Sequence, residues 1–255
     1  VDEGIMVYDV RREHLSRGQA GVATDAQVDA GLRTYMLRVY NYLASGLALS
    51  GVIAMSVVYT PLSAAFYQVS PEGQLMGLNM LGMIAVFAPL GLLFLAMFAA
   101  QKMSAAASQM FYWAFVALQG ISLSTLLLVY TGESIVRVFF ITAGTFAALS
   151  LYGYTTKRDL GGFGKFLFMG LIGMLLAAVV NIFLGSSMLQ FVVSAVGVLV
   201  FSGLIAYDTQ AIKERYYDGL GRDSETKMAV FSALALYLNF INLLQFLLYF
   251  LGNRE

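Results

Sequence analysis

Seven apolar segments constrain this chain more than any other feature. They lie near residues 37–59, 76–99, 109–130, 134–154, 166–185, 188–211 and 228–251. At 1.5 Å rise per residue, about 20 residues cross the roughly 30 Å hydrocarbon core of a bilayer as a helix. That core holds no water, so each spanning backbone must satisfy its own N–H and C=O groups. The fold class that follows is an all-α membrane protein with seven transmembrane helices. The composition, 59% hydrophobic and 12% charged, is that of a polytopic membrane protein rather than a soluble domain. Turn chemistry punctuates the connections at Pro61, Ser70-Pro71-Glu72-Gly73, Thr131-Gly132-Glu133 and Gly185-Ser186-Ser187. Pro89 falls inside the second span and predicts a kink there.

Residues 1–34 are polar and mixed in charge and read as a flexible cytoplasmic tail, with residues 35–255 forming the transmembrane domain. Residues 1–30 lack the apolar stretch of a signal peptide. Within 25–38, Val28, Leu32, Tyr35 and Met36 share a helix face. They fit an interfacial helix and an extended start of the first span equally well. Lys and Arg placement sets the orientation. With the N-terminus inside, 13 of the 15 basic residues lie on the cytoplasmic side and only Arg137 and Arg254 on the other, so the C-terminus is outside. Small-residue faces for helix contact are offered by Gly46 with Ser50, Gly144 with Ala148, and Gly170 with Gly173.

The inventory of reactive groups is short. There are no cysteines, which excludes disulfides, thiolate metal sites and cysteine nucleophiles. The one histidine, His14, lies in the tail, so a serine hydrolase would lack its base within the membrane. No HExxH zinc motif, no phosphate-cradling loop and no mid-span lysine is present. The formal net charge is zero, which gives no footprint for nucleic acid. The chain reads as a non-enzyme without a cofactor.

Asp208 is the exception to the apolar rule. It is the only charged residue that hydropathy places deep within a span, about 12 Å below the cytoplasmic end of the sixth. A carboxylate at such depth costs roughly 3 kcal/mol by insertion scales, so it is either a functional group or a structural one that caps a neighbouring helix or hydrogen-bonds within the bundle. Asn239, roughly 18 Å into the seventh span, reaches comparable depth, because the short connection makes the two spans antiparallel neighbours. Asn239 and Asn242 share a face. Tyr207, Thr209 and Gln210 adjoin Asp208 in sequence. The expectation is one polar cluster between spans six and seven, facing the bundle centre. Asp208 is its buried pH sensor or ion contact, and the amides are partners or helix–helix glue. One carboxylate with amides supplies few of the six to eight oxygens that calcium takes, so no bound metal is expected.

The stretch Ala206-Tyr207-Asp208-Thr209-Gln210, followed by Ala235-Leu236-Tyr237-Leu238-Asn239-Phe240-Ile241-Asn242-Leu243, resembles the signature of the Bax inhibitor-1 family, and most closely its bacterial YccA-like inner-membrane branch. Leu151-Tyr152-Gly153-Tyr154-Thr155-Thr156-Lys157-Arg158-Asp159-Leu160 and Tyr35-Met36-Leu37-Arg38-Val39-Tyr40 extend the similarity over most of the chain. The resemblance implies seven helices, one central, in the bacterial inner membrane, with the outer end periplasmic. It also implies a pH-sensitive calcium leak, in which two aspartates on spans six and seven share a proton and control closure at the cytoplasmic side. Asp208 matches the first position. Asn239 stands at the second, so a coupled carboxylate pair cannot form. Met83 to Met97 also lacks the charges that some members carry in span two. Two function classes follow: a cation leak with Asp208 as sensor, weakened by Asn239, or a modulator or substrate of the membrane protease FtsH, gripped by its tail.

Overall fold

The computed structural model describes residues 3–71, 75–217 and 221–254, with side chains from Ala30 on, Leu75 apart. In chain order the elements are α1 (Glu3–Tyr59), α2 (Ser63–Phe66), β1 (Tyr67–Val69), β2 (Leu75–Leu78), α3 (Met80–Ala99), α4 (Ala105–Leu123), α5 (Leu126–Val129), α6 (Gly132–Thr155), α7 (Gly161–Leu184), α8 (Ser187–Arg215) and α9 (Arg222–Leu251). A short 3-10 turn, Ala100–Lys102, follows α3. Among the described residues, seven helical stretches are long and apolar enough to span a membrane: Ala30–Tyr59, Met80–Lys102, Ala105–Val129, Gly132–Thr155, Gly161–Leu184, Ser187–Arg215 and Arg222–Leu251.

The first span starts earlier than expected. Tyr35, Met36 and Val39 are buried, and Tyr35 stacks on Tyr216 and hydrogen-bonds Ser232 at 3.1 Å. Residues 30–38 are therefore an extended start of the span and not a separate interfacial helix. The side chains of residues 1–29 lie outside the described residues, while the backbone from Glu3 on, within the expected tail over 1–34, is part of α1.

The second span starts later than expected. Residues 75–78 read as apolar span, but they form β2, antiparallel to β1 with Tyr67 opposite Leu78. Gly77, at φ 151°, takes a backbone conformation that L side chains rarely adopt. Asn79 then caps α3, accepting from Gly82 N at 2.9 Å and donating to the Ala65 carbonyl at 2.9 Å. The third span is broken near Ser124, where Tyr67 Oη lies 2.7 Å from Ser124 Oγ and anchors the hairpin to it. Ser104, Thr131 and Ser186 cap α4, α6 and α8.

Helix α9 is the most buried span and packs against α1, α4, α6 and α8. It is the central helix that the resemblance implied. Two side-chain hydroxyl bonds cross its core: Tyr237 Oη to Ser50 Oγ at 2.6 Å, with Ser50 donating on to the Val116 carbonyl at 2.8 Å. Among the described residues, no buried side-chain nitrogen or oxygen lacks a hydrogen-bond partner. That is what helices crossing a water-free hydrocarbon core require. Trp113 is a packing residue, edge-on to Tyr112 at 5.2 Å. Helices α3 and α7 are peripheral, on α4 and α8 respectively, and expose Phe87, Phe94, Phe98, Phe166 and Phe183.

Close helix approach uses some of the expected glycines and others besides. Gly46 meets α4 through Tyr112 and Gly170 meets α8 through Val200, but Gly144 and Gly173 face open space. The tight crossings are Gly120 on α1 at Ser50 and Ile53, and Gly153 on the α8 backbone at Ala206. Alternation of the helices gathers Arg33, Arg38, Lys102, Lys157, Arg158, Lys165, Lys213, Arg215, Arg222 and Lys227 toward one end, with Arg137 and Arg254 at the other.

Candidate functional site

Asp208 sits on the face of α8 turned toward α9. Asn239 lies opposite, and its Nδ2 donates to Asp208 Oδ2 at 2.7 Å. That length is at the short end for an amide donor, as expected of a bond to a carboxylate. Asp208 is half-buried and Asn239 buried. Both line a cavity of about 920 Å³ bounded by α3, α7, α8 and α9. Asn242, one turn beyond Asn239, reaches the same cavity, with its Nδ2 spent on the Leu238 carbonyl at 2.7 Å. Tyr207 also lines it, its ring lying over Gly164 of α7, where any Cβ would collide.

The remaining expected members do not join this group. Thr209 turns toward α6, its Oγ1 lying 3.0 Å from Ser150 Oγ and donating to the Ile205 carbonyl at 2.8 Å. Gln210 faces the loop between α6 and α7, accepting from Leu160 N and donating to the Arg158 carbonyl, each at 2.8 Å. Successive helical residues point about 100° apart, so positions 208, 209 and 210 address three different neighbours. The site also differs in place: it is a side cavity against the peripheral helices, not the bundle centre.

Gln210 therefore has a structural task. Replacing it with leucine should remove two buried hydrogen bonds, worth about 1 kcal/mol each. Amide exchange at residues 158–160 should rise while the Asp208–Asn239 pair is undisturbed. Unchanged exchange in that loop would mean that Gln210 does not hold it.

The cavity wall is mostly apolar. Leu90 and Leu93 come from α3, Phe168, Leu171 and Leu175 from α7, and Phe201 and Leu204 from α8. Lys165 of α7 lies at its rim, exposed. Sequence reasoning did not assign Leu90, Leu93 or Lys165 to the site; of the glycines just before Lys165, only Gly164 makes a close approach to another helix, under the Tyr207 ring. Asp208 is the one acidic side chain among the lining residues. Chemically the arrangement offers a single carboxyl group held by a fixed donor, with a lysine at the mouth. It can change charge by one and contact one cation. It has too few oxygens to replace the hydration shell of a calcium ion.

Comparison with known proteins agrees with the fold. Residues 32–255 match the family model described as inhibitor of apoptosis-promoting Bax1. An uncharacterized protein of Caulobacter vibrioides is 50% identical, covering 91% of this chain and 93% of its own length. A Rickettsia prowazekii protein is 46% identical over 89% and 92%. The inner membrane protein YbhL of Escherichia coli is 44% identical over 90% and 95%. Seven spanning helices and these relatives describe a multi-pass protein of the bacterial inner membrane. With the match running from the first span to the end of the last, the chain belongs to the Bax inhibitor-1 family.

Proposed function

We propose that this inner-membrane protein is a pH-sensitive leak pathway for cations, calcium among them, with Asp208 as its sensor. The carrying observation is the 2.7 Å bond from Asn239 to Asp208 on the wall of the 920 Å³ cavity. An ionised Asp208 presents a negative charge that attracts a cation into an otherwise apolar wall. A protonated Asp208 keeps an oxygen for the Asn239 amide but loses the charge. The contact between α8 and α9 thus survives the proton while the electrostatics change. Because Asn239 does not ionise, the response is that of one proton and not of a coupled pair. The N-terminus lies on the cytoplasmic side in this reading, following the basic residues gathered at that end.

Calcium entry into proteoliposomes across about pH 5–8 tests the proposal. The native protein should leak with a one-proton pH dependence. Asp208→Asn should flatten that dependence, and Asn239→Asp should steepen it toward two protons. A native protein that leaks no more than empty vesicles at any pH would overturn the reading. The role as modulator or substrate of the protease FtsH would then lead, and deletion of residues 1–30 should abolish co-purification with that protease.

A further inference from the structure

A second groove lies on the other side of the bundle, between α1 and α6. Its volume is about 550 Å³. The two helices pack on α4, α8 and α9, and the groove runs between them. Tyr40 Oη meets Ser150 Oγ at 2.6 Å across its floor. Its inner walls are apolar, from Met36, Leu37, Phe146 and Leu151. Leu37 and Leu151 are 54% and 64% exposed, on the outward surface of two membrane-spanning helices.

The mouth of this groove is cationic. Arg33 lines it. Tyr154 lines it too, with Lys213 Nζ 5.2 Å over its ring and donating to its carbonyl at 2.9 Å. Lys157 and Arg158 follow on the adjoining loop. The acid of that loop, Asp159, is turned away to accept from Gly161 N at 2.7 Å. A guanidinium beside an apolar slot at the basic end of a membrane bundle matches a phosphate carried on an acyl chain.

We propose that this groove binds an anionic phospholipid of the leaflet at the basic end, with its phosphate on Arg33 and one acyl chain against Leu37, Phe146 and Leu151. The site has a built-in link to α8. Ser150, on its floor, also bonds Thr209 at 3.0 Å, and Thr209 is the chain neighbour of Asp208. The lipid therefore seats on the hydroxyl contacts that fix that turn of α8. The proposal stands independently of the leak reading, since it uses neither Asp208 nor the cavity around it.

The test uses the full chain in vesicles, with Leu151→Trp as a reporter in the groove and Trp113→Phe to remove the native signal. Quenching by brominated phosphatidylglycerol is compared with quenching by brominated phosphatidylcholine at equal mole fraction. The anionic lipid should associate about fivefold more strongly, the scale of one basic contact at an anionic surface. Arg33→Gln should bring the ratio close to unity, while Lys102→Gln, exposed at the same end away from the groove, should leave it unchanged. Equal quenching by both lipids overturns the proposal. So does an equal loss in both glutamine variants, which would mark a general surface-charge effect.

Discussion

Leucine at position 153 is expected to destabilise the bundle by a few kcal/mol. Gly153 lies where α6 crosses α8, and a Cβ there would fall on the Ala206 carbonyl oxygen, with the Ala206 carbonyl carbon at 2.9 Å and its Cα at 3.0 Å. The obstacle is helical backbone, which has no rotamer to change. The helices would have to separate, and separation breaks the Ser150–Thr209 contact at 3.0 Å. Overpacking of this kind costs about 1–3 kcal/mol in ordinary cores, and a backbone collision belongs at the upper end. Leucine at Gly144, where a new side chain meets open space, is the matched control. Thermal melting in detergent should show a large loss for Gly153→Leu, a smaller one for Gly153→Ala and almost none for Gly144→Leu. Equal melting of the two leucine variants would rule out the crossing as a determinant of stability.

The second large effect concerns the Asp208–Asn239 pair. Asn239→Leu leaves the carboxylate facing an apolar wall without its amide donor. A hydrogen bond to a charged group is worth about 1.5–3 kcal/mol, and an abandoned buried partner pays its own desolvation. Asn239→Leu should therefore destabilise by that amount. The double variant Asp208→Leu with Asn239→Leu should recover most of the loss, because neither polar partner remains. The coupling read from unfolding in mixed micelles should be about 1.5–3 kcal/mol. Additive effects, within about 0.5 kcal/mol, would show that the two side chains do not stabilise each other.

The seven spans were legible because the bilayer demands a long apolar run for each, and the chain has no other use for runs of that length. The same rule hid the hairpin: Leu75, Met76 and Leu78 are as apolar as any helix residue, and hydropathy does not distinguish an apolar strand from the start of a span. The Asp208–Asn239 contact was readable from depth and from the antiparallel connection. Asn242 was readable from its three-residue spacing. Thr209 and Gln210 were assigned to the same cluster by adjacency, whereas a helix disperses adjacent residues. The contributions of Leu90, Leu93 and Lys165 to the cavity depend on which helices become neighbours. That information is spread over small contacts such as Gly164 under Tyr207 and does not show in any local pattern. The α1–α6 groove was hidden for the same reason, since its walls are about 110 residues apart in the chain.

The central helix is fastened at both rims. At one, Glu225 pairs with Arg38 at 3.1 Å and Lys227 donates to the Gln101 and Met103 carbonyls. At the other, Arg137 holds the Leu251 carbonyl at 2.9 Å, Asn253 N donates to Ser134 Oγ at 2.8 Å, and Thr131 N donates to the Asn253 carbonyl. A rod clamped at its two ends does not slide along its axis. It serves as an axle, and a piston stroke of α9 would have to release both clamps together. A rearrangement is expected in the outer helices α3 and α7, which meet the axle least, and a cross-link fixing α9 to α6 should leave it intact.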